Sequence, residues 1–264
     1  MLLANCHLVR CCGEDSRFGT TKDFSRVRRP ARNQVKWIRL ERPFPRVLVG
    51  ERMVITEIFK SIQGESTYAG LPCLFVRLTG CNLRCHWCDT AYAFNGGQKM
   101  LVTEVLSRLR QMGGKLVELT GGEPLLQQEV YPLTHQLLRE GYRVLVETSG
   151  ERNLAQLPPQ VVKVVDVKCP GSGEEGKFCL DNLAWLERKD QIKFVILNED
   201  DYHYARGFLA RHNLPRHVDE VIFSPVFGQL APHSLAAWIL RDGLEVRLGL
   251  QLHKFIWGPE ARGV

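Results

Sequence analysis

The sequence predicts an α/β fold, a partial, TIM-like βα barrel, and three observations carry that expectation. From residue 74 onward, β-branched runs alternate with segments of helical period, which implies a parallel sheet with crossover helices. Polar residues then stand in pairs at the ends of three successive strand-like runs: Glu118 and Thr120, Glu147 and Ser149, Asp166 and Lys168. Only about 210 residues follow Met53, whereas a complete barrel of eight units takes about 250.

Each element has its own signal. LFVRLTG (74–80) reads as a first strand. LVTEVLSRLRQM (101–112) places Leu101, Val102, Val105, Leu106, Leu109 and Met112 on one helical face. KLVELTGG (115–122) is a strand ending in glycines, and a helix over roughly 127–140 is stopped by Gly141, suited to a left-handed cap. RVLVETSG (143–150), VKVVDVKC (162–169) and QIKFVIL (191–197) are strands, as are EVIFSPV (220–226) and EVRLGLQLH (245–253). Helical patterns at about 181–189, 201–212 and 233–242 separate the later strands. In each polar pair the spacing of two puts both side chains on one strand face. Folds of this class place their chemistry at the C-terminal ends of strands; the alternative reading is a set of solvated strand ends.

Residues 1–52 do not share this pattern. They carry 12 Lys and Arg against 5 Asp and Glu, while residues 53–264 carry 23 against 24. The net charge of +6 therefore belongs to the leader, and the neutral body argues against a nucleic-acid partner. The leader holds Cys6, Cys11, Cys12 and prolines 30, 43 and 45 without a sustained period. It is expected to be a mostly irregular basic extension, with residues 53–264 forming the domain. One explanation is a true translation start at Met53, where coherent patterning begins with MVITEIFKSIQGE; a targeting peptide or a flexible tail is another. No run of eighteen apolar residues indicates a membrane span, and MLLANCHLVR lacks a secretory core. Nine cysteines in such a chain suggest reduced thiols in a cytoplasmic protein, with metal or redox chemistry rather than a disulfide framework.

CNLRCHWCDT (81–90) sets Cys81, Cys85 and Cys88 within eight residues. A structural zinc site wants four ligands, usually in two pairs; Cys85 and Cys88 alone would fit a thiol-redox couple. Cys169 and Cys179 flank GSGEEG and could complete a zinc site, though nothing local pairs them with Cys81. A cubane cluster takes about one thiolate per iron, so three thiols leave one iron open to a small chelating molecule. The C-x3-C-x2-C spacing with Trp87 before the third cysteine, followed by TGGEP at 120–124, resembles the radical S-adenosylmethionine superfamily. Within it, SIQGE, FVRLTGC, CDTAYAF, ETSG, DVKCPGSGE and LHKFIWGP closely resemble the 7-carboxy-7-deazaguanine synthases, over essentially all of 53–264.

The resemblance implies a partial barrel of the radical S-adenosylmethionine type and a lyase for queuosine-type deazapurine biosynthesis. It implies a [4Fe–4S] cluster on Cys81, Cys85 and Cys88 that reduces S-adenosylmethionine to methionine and a 5′-deoxyadenosyl radical. That radical takes hydrogen from C6 of 6-carboxy-5,6,7,8-tetrahydropterin, and ring contraction with loss of ammonia gives 7-carboxy-7-deazaguanine. Return of the hydrogen lets the cofactor be reused. Trp87, Cys88, Asp89, Gly122, Asp166, Val167, Lys168 and Ser224, Pro225, Val226 and Phe227 are expected around S-adenosylmethionine, with Glu123 suited to its ammonium. Thr90 is expected to bind magnesium, a hard cation that takes oxygen ligands. Ile62, Gln63, Gly64, Glu65, Arg77, Thr120 and Pro259 are expected at the substrate, Arg77 as a fork for its carboxylate unless it pairs with a structural acid. His253, with Lys254, is an acid–base or carboxylate candidate, though a lone histidine is commonly structural. A flavodoxin- or ferredoxin-like electron donor and a homodimer are also implied. The competing readings are a glycyl-radical-activating enzyme and a non-enzymatic zinc or electron-carrier protein.

Overall fold

The computed structural model describes residues 50–264. The basic leader, except Gly50 to Arg52, lies outside the described residues, as do Cys6, Cys11 and Cys12. Nine strands form one sheet: β1 (Arg52–Ile62), β2 (Pro72–Leu78), β3 (Gln98–Leu101), β4 (Leu116–Gly121), β5 (Arg143–Thr148), β6 (Val162–Asp166), β7 (Gln191–Ile196), β8 (Glu220–Pro225) and β9 (Arg247–Leu248). Their order is β3-β1-β2-β4-β5-β6-β7-β8-β9. From β2 to β9 every pairing is parallel, whereas β1 pairs antiparallel with both β2 and β3. β3 and β9 stand at the two edges, so the barrel is incomplete, as the chain length predicts.

Among the described residues five α-helices accompany the sheet: α1 (Val102–Met112), α2 (Val130–Arg139), α3 (Glu199–His212), α4 (Pro232–Asp242) and α5 (Leu252–Ile256). Their ends follow local chemistry. Gly141 takes φ 77° just beyond α2, as a left-handed cap requires. Asn198 accepts from the Asp201 amide at the start of α3, in front of Glu199, Asp200 and Asp201, which suit the positive end of the helix dipole.

Strand alternation divides the core. Val117, Leu119, Val144, Val146, Val165, Ile192, Phe194 and Phe223 join the large outer core with Leu106, Leu133 and Tyr202 of the helices. On the other face, Cys73, Phe75, Leu116, Leu145 and Val162 form a small second cluster, with Phe59 packed against it. Phe59 stacks on Phe75 at 4.9 Å between centroids. Two residues further along the same faces come Arg77, Glu118 and Glu147. The inner face therefore begins apolar and ends polar, which gives the cavity a dry floor and a charged rim.

Two expected elements differ. Over 181–189 the chain forms a 3-10 helix, Leu180–Trp185, because the Asn182 side chain is recruited elsewhere. Its Nδ2 donates to Gly150 O and Arg152 O at 2.8 and 2.9 Å, and its Oδ1 accepts from Leu154 N. The strand expected over 245–253 is reduced to Arg247–Leu248, and Leu252 opens α5. There the Leu252 amide donates to Gly64 O at 2.9 Å, so the chain turns across the barrel end instead of extending along the edge. β1 and β3 have no counterpart among the expected elements, and the strand expected first is β2.

Candidate active site

A cavity of about 520 Å³ opens at the C-terminal ends of the strands. Glu118, Thr120, Glu147, Ser149, Asp166 and Lys168, the three polar pairs, all line it. Cys81, Cys85 and Cys88, on the loop after β2, line it as well.

The cysteine loop is fixed from two sides. Gly122 supports it from within: a Cβ there would stand 1.9 Å from Gly80 O and 3.2 Å from Cys81 Cβ, so only glycine fits. The loop 169–174 supports it from outside, where the His86 amide donates to Ser172 O at 3.0 Å. Glu174 Oε1 accepts from the Arg84 amide at 2.5 Å. Burial raises all three thiols, Cys85 to about 11, while the Lys168 ammonium pulls each the other way. Among the described residues no group of three or more His, Cys, Asp or Glu gathers around a single point as one metal ion requires. Three thiols facing one cavity suit a cubane, with each thiolate on its own iron, whereas a structural zinc site takes four ligands. Cys169 is 1% exposed, packed in the outer core, and does not line the cavity.

The wall beside the thiols is charged and mostly compensated. Lys168 donates to Asp166 Oδ2 at 2.9 Å; burial works against its charge, but Asp166 and Cys85 raise it above the ordinary lysine value. Asp166 Oδ1 is buried and, among the described residues, has no hydrogen-bond partner. Glu123 is 1% exposed and accepts from Leu125 N, Thr148 Oγ1, Ser149 N and Ser149 Oγ. Its carboxylate ties the glycine turn to the end of β5, so a dedicated ammonium partner is not what the geometry makes of it.

Deeper in, Lys193 of β7 is the centre of a polar cluster that the sequence pattern did not single out. Its Nζ lies 2.6 Å from Glu65 Oε2, beside Glu147 Oε1, and 3.7 Å from Asp166 Oδ2. Burial works against its charge, yet Glu147, Glu65 and Asp166 raise its pKa well above the ordinary value. Glu118, which accepts from Gln63 Nε2, is pushed well above the carboxylate range by burial and by Glu147 and Glu65. For Glu65 burial pushes upward, but Lys193 and the hydrogen bond from Gln251 prevail and hold it below 4.5.

The chain after β9 closes one side. Gln251 Nε2 donates to Glu65 Oε1 at 2.7 Å, and a Cβ on Gly64 would meet His253 Nδ1 at 2.3 Å. Burial lowers His253 despite Glu65 and Asp89 nearby, so its imidazole is neutral at pH 7. Lys254 pairs with Asp89 at 2.6 Å. Burial would raise Asp89, but the Lys254 ammonium holds it down to about 2. The Thr90 hydroxyl donates to Asp89 Oδ1 at 2.8 Å, which leaves its oxygen lone pairs available.

Of the residues singled out in the sequence, Ile62, Gln63, Gly64, Glu65, Arg77, Trp87, Asp89, Thr90, Thr120, Gly122, Asp166, Lys168, Val226, Phe227, His253 and Pro259 all line this cavity with the three cysteines. Val167, Ser224 and Pro225 do not. Val167 packs into the outer core, and Ser224 is 4% exposed, behind the backbone at Gly249, where a Cβ would touch its Oγ at 2.6 Å. Arg77 has the structural acid that was its alternative: its Nε donates to Glu57 Oε1 at 2.7 Å.

The chain is similar to known proteins over most of its length. The family model of the radical SAM superfamily matches residues 75–166. A 7-carboxy-7-deazaguanine synthase of Koribacter versatilis is 54% identical over 226 residues, covering 80% of this chain and 100% of the relative. That of Chlorobaculum tepidum is 46% identical over 213 residues, covering 80% and 96%. The crystal structure of QueE from Escherichia coli aligns with a TM-score of 0.64 at 22% identity, covering 76% of this chain and 94% of that one; at that identity the match speaks for the fold. No helix among the described residues is long and apolar enough to cross a membrane. The chain belongs to the 7-carboxy-7-deazaguanine synthase family of radical S-adenosylmethionine enzymes.

Proposed function

We propose that this cavity converts 6-carboxy-5,6,7,8-tetrahydropterin to 7-carboxy-7-deazaguanine and ammonia. The observation that carries the reading is that the three cluster-type thiols and a buried set of amides and carboxylates face one cavity. Cys81, Cys85 and Cys88 would hold the cluster. Trp87, Asp89, Gly122, Asp166, Lys168, Val226 and Phe227, which line the cavity, would surround S-adenosylmethionine. Bound together, these two groups supply a carbon-centred radical by one-electron cleavage of the sulfonium, fed by a flavodoxin- or ferredoxin-like donor.

The chain's own residues bind, orient and keep the site dry. A pterin edge presents several N–H donors and ring-nitrogen acceptors. Gln63, Glu65, Glu118 and Glu147 offer complementary acceptors and an amide donor, and Lys193 pairs with Glu65 and Glu147. Phe59 and Phe75 form the apolar floor. Ile62, Gly64, Thr120 and Pro259 complete the wall. The neutral His253 is suited to taking or giving a proton at a ring nitrogen.

Magnesium fits the donor chemistry. Among the described residues the lining carries eight acidic side chains against five Lys and Arg, a net negative wall for a carboxylated substrate. A divalent cation held by the Thr90 hydroxyl would offset that charge and receive the substrate's carboxylate. A glycyl-radical-activating enzyme would instead have to admit a polypeptide, and here Gln251, Leu252 and Lys254 tie across the opening to Glu65, Gly64 and Asp89.

The test is anaerobic incubation of the iron- and sulfide-reconstituted protein with reductant, S-adenosylmethionine, magnesium and the carboxytetrahydropterin. The expected product is 7-carboxy-7-deazaguanine. Deoxyadenosine without it would refute the substrate while leaving the radical chemistry standing.

A further inference from the structure

We infer that Arg262 is a second recognition group for the substrate's carboxylate, carried on the segment 258–264 at the rim of the cavity. This rests on the reading that the substrate is a carboxylated pterin. Among the described residues five Lys and Arg side chains line the cavity: Arg77, Lys168, Lys193, Lys254 and Arg262. Four of them are already held by carboxylates. Arg77 pairs with Glu57, Lys168 with Asp166, Lys193 with Glu65 and Glu147, and Lys254 with Asp89. Among the described residues, Arg262 makes no ion pair and no hydrogen bond; its guanidinium carbon lies 4.2 Å from the centroid of the Tyr92 ring.

That perch places it beside the expected carboxylate fork. The Tyr92 hydroxyl donates to Glu57 Oε1 at 2.8 Å, and the same oxygen accepts from Arg77 Nε at 2.7 Å. The guanidinium carbon of Arg77 is 6.0 Å from the same Tyr92 ring. Two guanidiniums thus flank one tyrosine, the strand-borne one neutralised by Glu57 and the other uncompensated. Against a wall of net negative charge, an incoming carboxylate gains most from the cation without a partner. The planar fork of an arginine suits it, and stacking on an aromatic ring holds that fork ready at little desolvation cost.

The backbone allows the movement. Gly258 takes φ 91° with open space where a Cβ would stand, so the segment has an unhindered pivot. Arg262 is exposed and can turn from Tyr92 toward a ligand without breaking a hydrogen bond. A charge-assisted pair of this kind is expected to change affinity by about 10- to 100-fold.

The experiment uses cluster-loaded protein with S-adenosylmethionine and magnesium but no reductant, so that nothing turns over. Anaerobic calorimetry compares 6-carboxytetrahydropterin with tetrahydropterin, which lacks the carboxylate. The wild type is expected to prefer the carboxylated ligand. Arg262→Gln should reduce that preference about tenfold or more while leaving tetrahydropterin within about twofold, and Arg262→Lys should restore part of it. An unchanged preference in Arg262→Gln, or equal weakening of both ligands, would overturn the role of Arg262 alone. A wild type indifferent to the carboxylate would overturn the substrate reading and this role together.

Discussion

Replacing Lys193 by methionine removes the ammonium that holds the polar cluster together, and its consequence can be worked out from the geometry. Lys193 has a side-chain exposure of 5% and faces Glu65, Glu147 and Asp166. Methionine keeps the length and loses the charge, which leaves carboxylates buried around an apolar chain. Breaking a buried pair from one side costs about 3–5 kcal/mol. For a domain of this size that lowers the midpoint of thermal unfolding by roughly 6–20 °C. The loss also depends on pH in a defined direction. In the wild type Glu65 sits below 4.5, so its stabilising contribution is present above that pH and is lost as pH falls through the folded value. Without Lys193, burial of Glu65 is opposed only by Gln251 and His253. Its pKa then rises above 4.5, and the variant loses stability as pH increases past that value. The gap between wild type and Lys193→Met should therefore widen from about pH 5 to about pH 8. Thermal unfolding of both proteins across that range is the assay. A deficit below about 1 kcal/mol, or one that is flat or narrows with pH, would refute the view of Lys193 as the centre of the cluster.

Two further substitutions probe other parts of the site. Gly122→Ala puts a methyl group 1.9 Å from Gly80 O and 3.2 Å from Cys81 Cβ. The cysteine loop must shift, and iron and labile sulfide per reconstituted chain should fall several-fold; full loading would show that the turn has slack. Glu118→Gln removes the charge that burial disfavours and keeps an acceptor for Gln63. Its unfolding free energy should stay within about 1 kcal/mol of wild type, whereas Glu118→Ala should lose about 1–3 kcal/mol by leaving the Gln63 amide unsatisfied. Equal losses in the two variants would contradict the view that Glu118 contributes chiefly as the acceptor for Gln63.

What the sequence disclosed depended on how local each signal was. Cys81, Cys85 and Cys88 sit within one loop, and Gly121, Gly122 and Glu123 within one turn, so their spacing alone carries chemistry. The polar pairs were legible because strand alternation is a local rule, and they do share one cavity. Lys193 was not, since QIKFVIL reads as an ordinary strand and its partner Glu65 stands 128 residues away. The alternating pattern of 245–253 misled because Leu252 is drawn to Gly64 O, a long-range contact that overrides strand periodicity. Likewise Asn182, which satisfies three backbone groups of another loop, displaces the helix expected around it. Arg77 was ambiguous for a related reason. Its counter-ion Glu57 lies on β1, a strand not identified beforehand, so nothing in FVRLTG could distinguish a fork for substrate from half of an ion pair.

The central claim is that the cavity aims a radical at C6 of a carboxylated tetrahydropterin, and isotope transfer tests it most directly. Cluster-loaded protein is given substrate deuterated at C6, together with reductant, S-adenosylmethionine and magnesium, and the nucleoside fraction is analysed by mass spectrometry. The account predicts deuterium at the 5′ carbon of the deoxyadenosyl group, accompanied by 7-carboxy-7-deazaguanine. Product formed while the nucleoside stays unlabelled would contradict it.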